Sequence, residues 1–246
     1  MKQGAFHTTP SGALPDGILL VDKPSGLTSH DVVDRIRRRF GVPKVGHAGT
    51  LDPQATGLLV IMLGRATKLA DRLMAEDKIY EGVFQLGVAT DSQDGDGQVV
   101  QERDYSAVTR ADVERAMAGL TGDLMQVPPM ISALKKDGVP LYKLARKGKI
   151  VERQPRLVHV YEFTLLDFQP PSGMFRVRCS KGCYVRTLCA DLGEALQCGA
   201  HLARLRRIAS GSFNLGEATP LGDILNLARA DLIRLIVPSP RVPLSR

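Results

Sequence analysis

The chain has 246 residues, room for one large domain or two small ones, and 43% of them are hydrophobic, which excludes a disordered or fibrous protein. Lysine and arginine number 33 against 26 aspartate and glutamate, and the net charge of +7 favours a polyanionic partner, with nucleic acid the leading class. No stretch reaches the roughly 20 apolar residues of a membrane span, and the first residues lack the apolar core of a secretory signal, so a cytoplasmic protein, working as a monomer away from membranes, is expected.

Residues 1–16, rich in Gly, Pro, Ser and Thr, read as a mobile arm. An apolar run, Gly17 to Val21, leads into the turn Asp22-Lys23-Pro24-Ser25-Gly26 and then a helix. Thr28 caps that helix, with Asp31 placed as in a capping box, and Val32, Val33, Ile36 and Phe40 form its apolar face. Gly41 and Pro43 end it, and Arg35, Arg37, Arg38 and Arg39 occupy the other side. Leu58 to Leu63 and Lys78 to Leu86 have strand character, joined by a short helix from Thr67 to Met74. A second capping box, Thr109 with Asp112, starts a helix that buries Val113, Met117 and Leu120.

Met125 to Lys149 has few apolar runs and reads as an insertion. From Lys135 to Lys149 it carries six basic residues (Lys135, Lys136, Lys143, Arg146, Lys147 and Lys149) against one acidic residue, Asp137, a density suited to phosphate contacts. Two strands follow, Leu157 to Phe168 and Met174 to Ser180, turned at Gln169-Pro170-Pro171-Ser172-Gly173. After them come a helix from Arg186 to Leu196, a strand near Arg206 to Phe213 and two short helices within Ile224 to Val237. Hairpin-linked strands interrupted by helices, without βαβ alternation, give an α+β fold with a mixed, largely antiparallel central sheet flanked by helices.

The four cysteines contain no CxxC pair, and Cys189 sits at helical spacing among Leu188, Leu192 and Leu196 as a core residue. Buried free thiols are expected, in preference to a zinc site with His201, and no metal. The run Asp91 to Gly97 imitates a calcium loop but fails on register, since Arg103 stands where the bidentate Glu belongs. It reads as a polar loop between strands.

The segment from Lys44 to Leu59 holds three glycines within Gly46 to Gly57, which let the backbone turn tightly, and Pro53 pushes Asp52 towards an extended conformation. A carboxylate is thereby held on a stiffened loop before a buried strand. GHAGTLDPQATGLL resembles the catalytic motif of the TruB family of tRNA pseudouridine synthases. GILLVDKPSGLTS from Gly17, Lys78-Ile79-Tyr80, TDSQDGDG from Thr90, QVPPMISALKKDGVPLYKLARKG from Gln126 and KGCYVRTLCADLGEALQCGAHLARLRR from Lys181 match in the family's order, so that the resemblance runs from Gly17 to Phe213.

That resemblance implies a pseudouridine synthase-like catalytic domain over residues 17–214, with residues 125–150 as a basic, thumb-like lid on the RNA. It implies that Asp52 is the catalytic aspartate, that Tyr80 stacks on the flipped target base, and that Arg186 pairs with the aspartate and keeps it ionised. His47 is implied to fill space vacated in the RNA. Lys23, Lys78, Tyr184 and Leu205 match positions lining or bordering the site, and Lys136, Lys143, Arg146 and Lys147 match the RNA-binding insertion. The substrate implied is the T stem-loop of tRNA, at position 55.

The isomerisation breaks a base-to-sugar bond and rejoins the sugar to a ring carbon with nothing transferred in, so no cofactor is expected. Attack on the sugar, attack on the base and removal of a sugar proton are all open to Asp52. Three other readings compete: a non-catalytic RNA-binding or RNA-folding module, which has no use for Asp52, a guide-dependent archaeal or eukaryotic relative, and a glycosidase, which needs a second acid that no motif supplies. Residues 215–246 are expected to be a short segment in which the family's usual C-terminal RNA-binding domain is absent or vestigial.

Overall fold

The structure, a computed structural model, describes residues 14–130, 132, 135, 136, 138–140 and 151–238. Of the described residues, those up to Met74 and from Ser212 onward make one compact unit, and Ala75–Gly211 make another. The fold is α+β, its sheets almost wholly antiparallel.

The first unit begins with β1 (Gly17–Lys23), whose apolar residues are buried on both faces. Asp16, just before it, is anchored by the backbone N–H and the guanidinium of Arg65, which hold its carboxyl below the usual carboxylate range. Helix α1 (Ser29–Phe40) starts at a complete Thr28–Asp31 capping box and stops at Gly41, whose left-handed φ of 62° suits a residue without Cβ. Its buried stripe is Val32, Val33, Ile36 and Phe40, as the spacing predicts. Strands β2 (Val45–His47) and β3 (Thr56–Leu63) follow, with β3 antiparallel to both β1 and β2. The expected helix from Thr67 divides into a 3-10 stretch, Gly64–Leu69, and α2 (Ala70–Ala75).

The second unit is built on β4 (Lys78–Leu86), with two short strands β5 (Val88–Thr90) and β6 (Val99–Glu102) paired beside it as a separate hairpin. Helix α3 (Arg110–Gly119) carries the second complete capping box, Thr109 with Asp112. It buries Val113 and Met117, but Leu120, expected in the core, stands at the C-cap and is half-buried. Strand β7 (Gly122–Gln126) leads to two-residue strands β8 (Lys135–Lys136) and β9 (Val139–Pro140). Then come β10 (Arg156–Gln169), β11 (Ser172–Cys179), helix α4 (Val185–Ala195) and β12 (Ala200–Ser210).

The sheet order β12-β4-β11-β10-β7 is antiparallel throughout. On β4, Lys78, Tyr80, Gly82, Phe84 and Leu86 share the buried face. Phe84 and Phe175 stack there at 6.3 Å between centroids, with Phe163 edge-on to Phe175 at 5.4 Å. A Cβ on Gly173 would stand 2.0 Å from the Phe84 ring, so this glycine is a packing requirement. Strand β12 begins six residues earlier than the strand expected from Arg206, because it pairs with β4 from Ala200↔Leu86 to Ser210↔Lys78.

The chain then returns to the first unit. A two-residue strand β13 (Phe213–Asn214) precedes β14 (Thr219–Pro220), which runs parallel to β1, while β15 (Val237–Pro238) runs antiparallel to the start of β1. Between them lie the two short helices foreseen, α5 (Leu221–Asn226) and α6 (Arg229–Leu235).

Candidate active site

In the first unit, the loop carrying Asp52 is fixed at both shoulders. Ser29, buried at the first turn of α1, receives the Leu51 N–H at 2.8 Å and donates to the Leu51 carbonyl at 3.2 Å. On the other side, the Pro53 carbonyl accepts from Gly26 N–H at 2.9 Å and from Lys23 Nζ at 3.0 Å. Lys23 is fully buried, and its ammonium also donates to the Leu27 carbonyl at 2.6 Å and the Pro24 carbonyl at 3.0 Å. A buried charge is tolerable when each donor finds an acceptor, and three carbonyls meet the three donors of an ammonium. Leu51 and Ala55 are buried while Asp52 between them is half-buried, so the carboxylate sits on a stiffened ledge.

Lys23, which the sequence places among substrate-binding residues, also bonds the loop holding Asp52. His47 lies on β2, opposite Ile61 of β3, and is half-buried.

In the second unit, Tyr80 is buried at 9% exposure, and burial pushes its phenol up to about 12 while Arg207 pulls against that rise. Lys78, two residues earlier on the same face, is lowered to about 8 by burial, with the Arg207 charge adding to the effect; its ammonium donates to the Glu76 carbonyl. Leu205 on β12 is half-buried, opposite Gly82.

Arg186, at 3% exposure in the first turn of α4, donates from Nη1 to the Ser92 carbonyl and to Asp94 Oδ2, each at 3.1 Å. The polar loop between β5 and β6 is thus an arginine clamp. Asp94 Oδ1 accepts from the Ser92 hydroxyl and from Asp96 N–H, and the Gln93 side chain accepts from Thr187 Oγ1 at 2.8 Å. Backbone bonds from Leu202 N–H to the Gln93 carbonyl and from Gly95 N–H to the Leu202 carbonyl tie the loop to β12. Tyr184, the N-cap of α4, exchanges two hydrogen bonds with buried Gln126 at the end of β7: its N–H donates to Oε1 at 2.7 Å and its carbonyl accepts from Nε2 at 3.1 Å.

Sequence reasoning missed Ser29, Asp94, Gln126 and Arg207, which support the expected residues. Lys136 lies in β8, whereas Lys143, Arg146 and Lys147 fall outside the described residues. Cys189 is buried in α4 as expected, and all four thiols are free. Among the described residues no three His, Cys, Asp or Glu side chains are grouped as a metal ion requires, and no helix is long and apolar enough to cross a membrane.

The chain belongs to the TruB family of pseudouridylate synthases: residues 37–185 match that family's N-terminal domain, and residues 186–239 match the tRNA pseudouridylate synthase B C-terminal domain. It is 52% identical over 223 residues to the tRNA pseudouridine synthase B of Opitutus terrae, an alignment covering 91% of this chain and 92% of the relative. The enzyme of the same name from Symbiobacterium thermophilum is 49% identical over 239 residues, covering 94% of this chain and 79% of the relative. Among solved structures it is similar, at 27% identity, to a Cbf5-Nop10-Gar1 complex (TM-score 0.73) and to the archaeal box H/ACA sRNP Nop10-Cbf5 complex (TM-score 0.68). These matches cover 95% and 91% of this chain, which spans 66% and 60% of the respective matched chains.

Proposed function

We propose that the protein isomerises uridine to pseudouridine in tRNA, at position 55 of the T loop, with Asp52 as the catalytic carboxylate. The observation that carries this reading is the bracing of the Asp52 loop from both sides by Ser29, Gly26 and Lys23, a support that a simple turn does not need. The carboxylate acts where the base-to-sugar bond breaks, and the detached base recaptures the sugar through a ring carbon. Bonds broken and made balance within the substrate, so no co-reactant is consumed.

The target base leaves its stack, and Tyr80 offers it a flat face and a hydroxyl that is protonated at neutral pH. Arg186, aimed by Asp94 and Ser92, is the cation that keeps the catalytic carboxylate ionised. His47 fills the space the flipped nucleotide leaves, Lys78, Tyr184 and Leu205 border the base, and Lys136, Lys143, Arg146 and Lys147 contact phosphates. The T stem-loop is the part of tRNA recognised, and the enzyme acts as a cytoplasmic monomer.

Asp52→Asn keeps the shape of the side chain and removes its charge. It is expected to abolish pseudouridine formation, mapped by chemical probing of a T-arm RNA, while leaving RNA affinity within about tenfold, or 1.4 kcal/mol. Substantial isomerisation by this variant, or none by the parent protein on any T-arm substrate, refutes the reading.

A further inference from the structure

We propose that Arg207 is a positioning residue that acts through the hydroxyl of Tyr80. Among the described residues Arg207 is one of the largest fully buried side chains, at 1% exposure. It stands directly opposite Tyr80 in the antiparallel β12–β4 pair, and directly opposed residues project to the same face of a sheet. On β4 that face is the buried one shared by Lys78, Tyr80 and Phe84. From that position the guanidinium is placed to donate to the phenol oxygen, and its charge acts on the phenol in favour of ionisation.

Space alone does not call for an arginine here. A guanidinium is permanently charged and costly to take out of water, and Leu or Met would fill the volume without that cost. What the charge adds is an oriented donor at the Tyr80 oxygen. The hydrogen bond occupies one lone pair of Oη and stops the hydroxyl turning freely, which sets the direction in which it meets a base stacked on the ring. Burial raises the phenol, with Cys179 and Cys183 adding to that rise, and Arg207 is the group that pulls against it. The hydroxyl, protonated at neutral pH, is thereby held in one direction towards a base stacked on the ring.

The inference rests on the isomerase reading, and a double-mutant cycle separates the two. Turnover of a T-arm RNA is measured for the parent, Arg207→Met, Tyr80→Phe and the double variant, with thermal melts to verify folding. Arg207→Met is expected to lower kcat by roughly 10- to 100-fold with KM within about threefold, and to change kcat by less than about threefold when Tyr80 is already Phe. Arg207→Lys, which keeps the charge and loses the planar fork, recovers part of the loss in the Tyr80 background. If Arg207→Met does not fold, the Arg207→Lys cycle is decisive, since its deficit must vanish in the Tyr80→Phe background. An equal loss in both backgrounds overturns the proposal while leaving the isomerase reading intact. A parent protein that binds tRNA and makes no pseudouridine overturns both.

Discussion

Replacing Lys23 with Met keeps the length of the side chain and removes the ammonium that three backbone carbonyls surround. The Pro53 carbonyl retains Gly26 N–H, so the carbonyls of Pro24 and Leu27 bear most of the loss. A carbonyl buried without its donor costs roughly 1–3 kcal/mol, but Pro24 is exposed and Leu27 half-buried, so water replaces part of the loss and the two together cost about 1–3 kcal/mol. The desolvation of the ammonium, no longer incurred, offsets part of this and leaves a net destabilisation of about 1–2 kcal/mol. Urea denaturation followed by circular dichroism measures it. The same variant, assayed below its melting transition, is expected to lose at least about tenfold in kcat with KM little changed, because a loosened Pro53 lets the Asp52 ledge wander and small misplacements are costly. Lys23→Arg restores the charge but not the compact three-way donor geometry, and is expected to recover little. A stability change below about 0.5 kcal/mol together with unaltered kcat refutes the view that the buried ammonium braces the catalytic loop.

Asp94→Asn removes the carboxylate that pairs with Arg186 while leaving the Ser92 carbonyl in place, and is expected to lower kcat by about 10- to 100-fold without comparable loss of RNA affinity, as read by filter binding beside single-turnover kinetics. Lys78 supplies a pH signature: its folded pKa of about 8 lies below its usual 10.5, so the unfolded state binds more protons between those values and stability rises with pH across that window. Lys78→Met is accordingly expected to be more stable than the parent near pH 7, by up to about 3 kcal/mol, with the difference shrinking above pH 8 in urea titrations. Changing Lys136, Lys143, Arg146 and Lys147 together to Ala is expected to weaken tRNA binding and flatten the salt dependence of log affinity by roughly 1.4 to 2.8, at about 0.7 per lost contact; an unchanged slope removes these residues from the interface.

Features governed by neighbours in the chain were legible in the sequence. The capping boxes at Thr28 and Thr109 and the left-handed stop at Gly41 depend on residues within one helical turn, and each was found at its expected position. The β4 strand was equally clear because its burial alternates residue by residue. What stayed hidden depends on contacts between distant segments. Ala200 to Leu205 lacks a β-branched run, so the first half of β12 is held by pairing with β4 and not by local preference. Lys23 looks like any turn lysine until carbonyls from three positions close around it. The Asp94–Arg186 pair joins residues 92 apart in the chain. Arg207 did leave a trace: with β12 extended to its full length, period-two alternation puts it on the face of Leu205, opposite Arg204 and Arg206.

The unit bearing Asp52 draws its strands from both ends of the described chain. β1 is flanked by β14 and β15, and the end of α1 is secured when Arg229 Nη1 bonds the Phe40 carbonyl at 2.7 Å and Arg39 bonds the carbonyls of Leu225 and Leu227. On the ribosome, Ala75–Gly211 emerges between these pieces and occupies translation for on the order of ten seconds. During that interval the apolar strand β1 exists without its late partners, its edge and its buried face open to wrong pairings. The half of the molecule that carries the carboxylate is completed last, and a chain that stops short of Thr219 exposes its first strand before it loses any residue of the basic segment from Lys135 to Lys149.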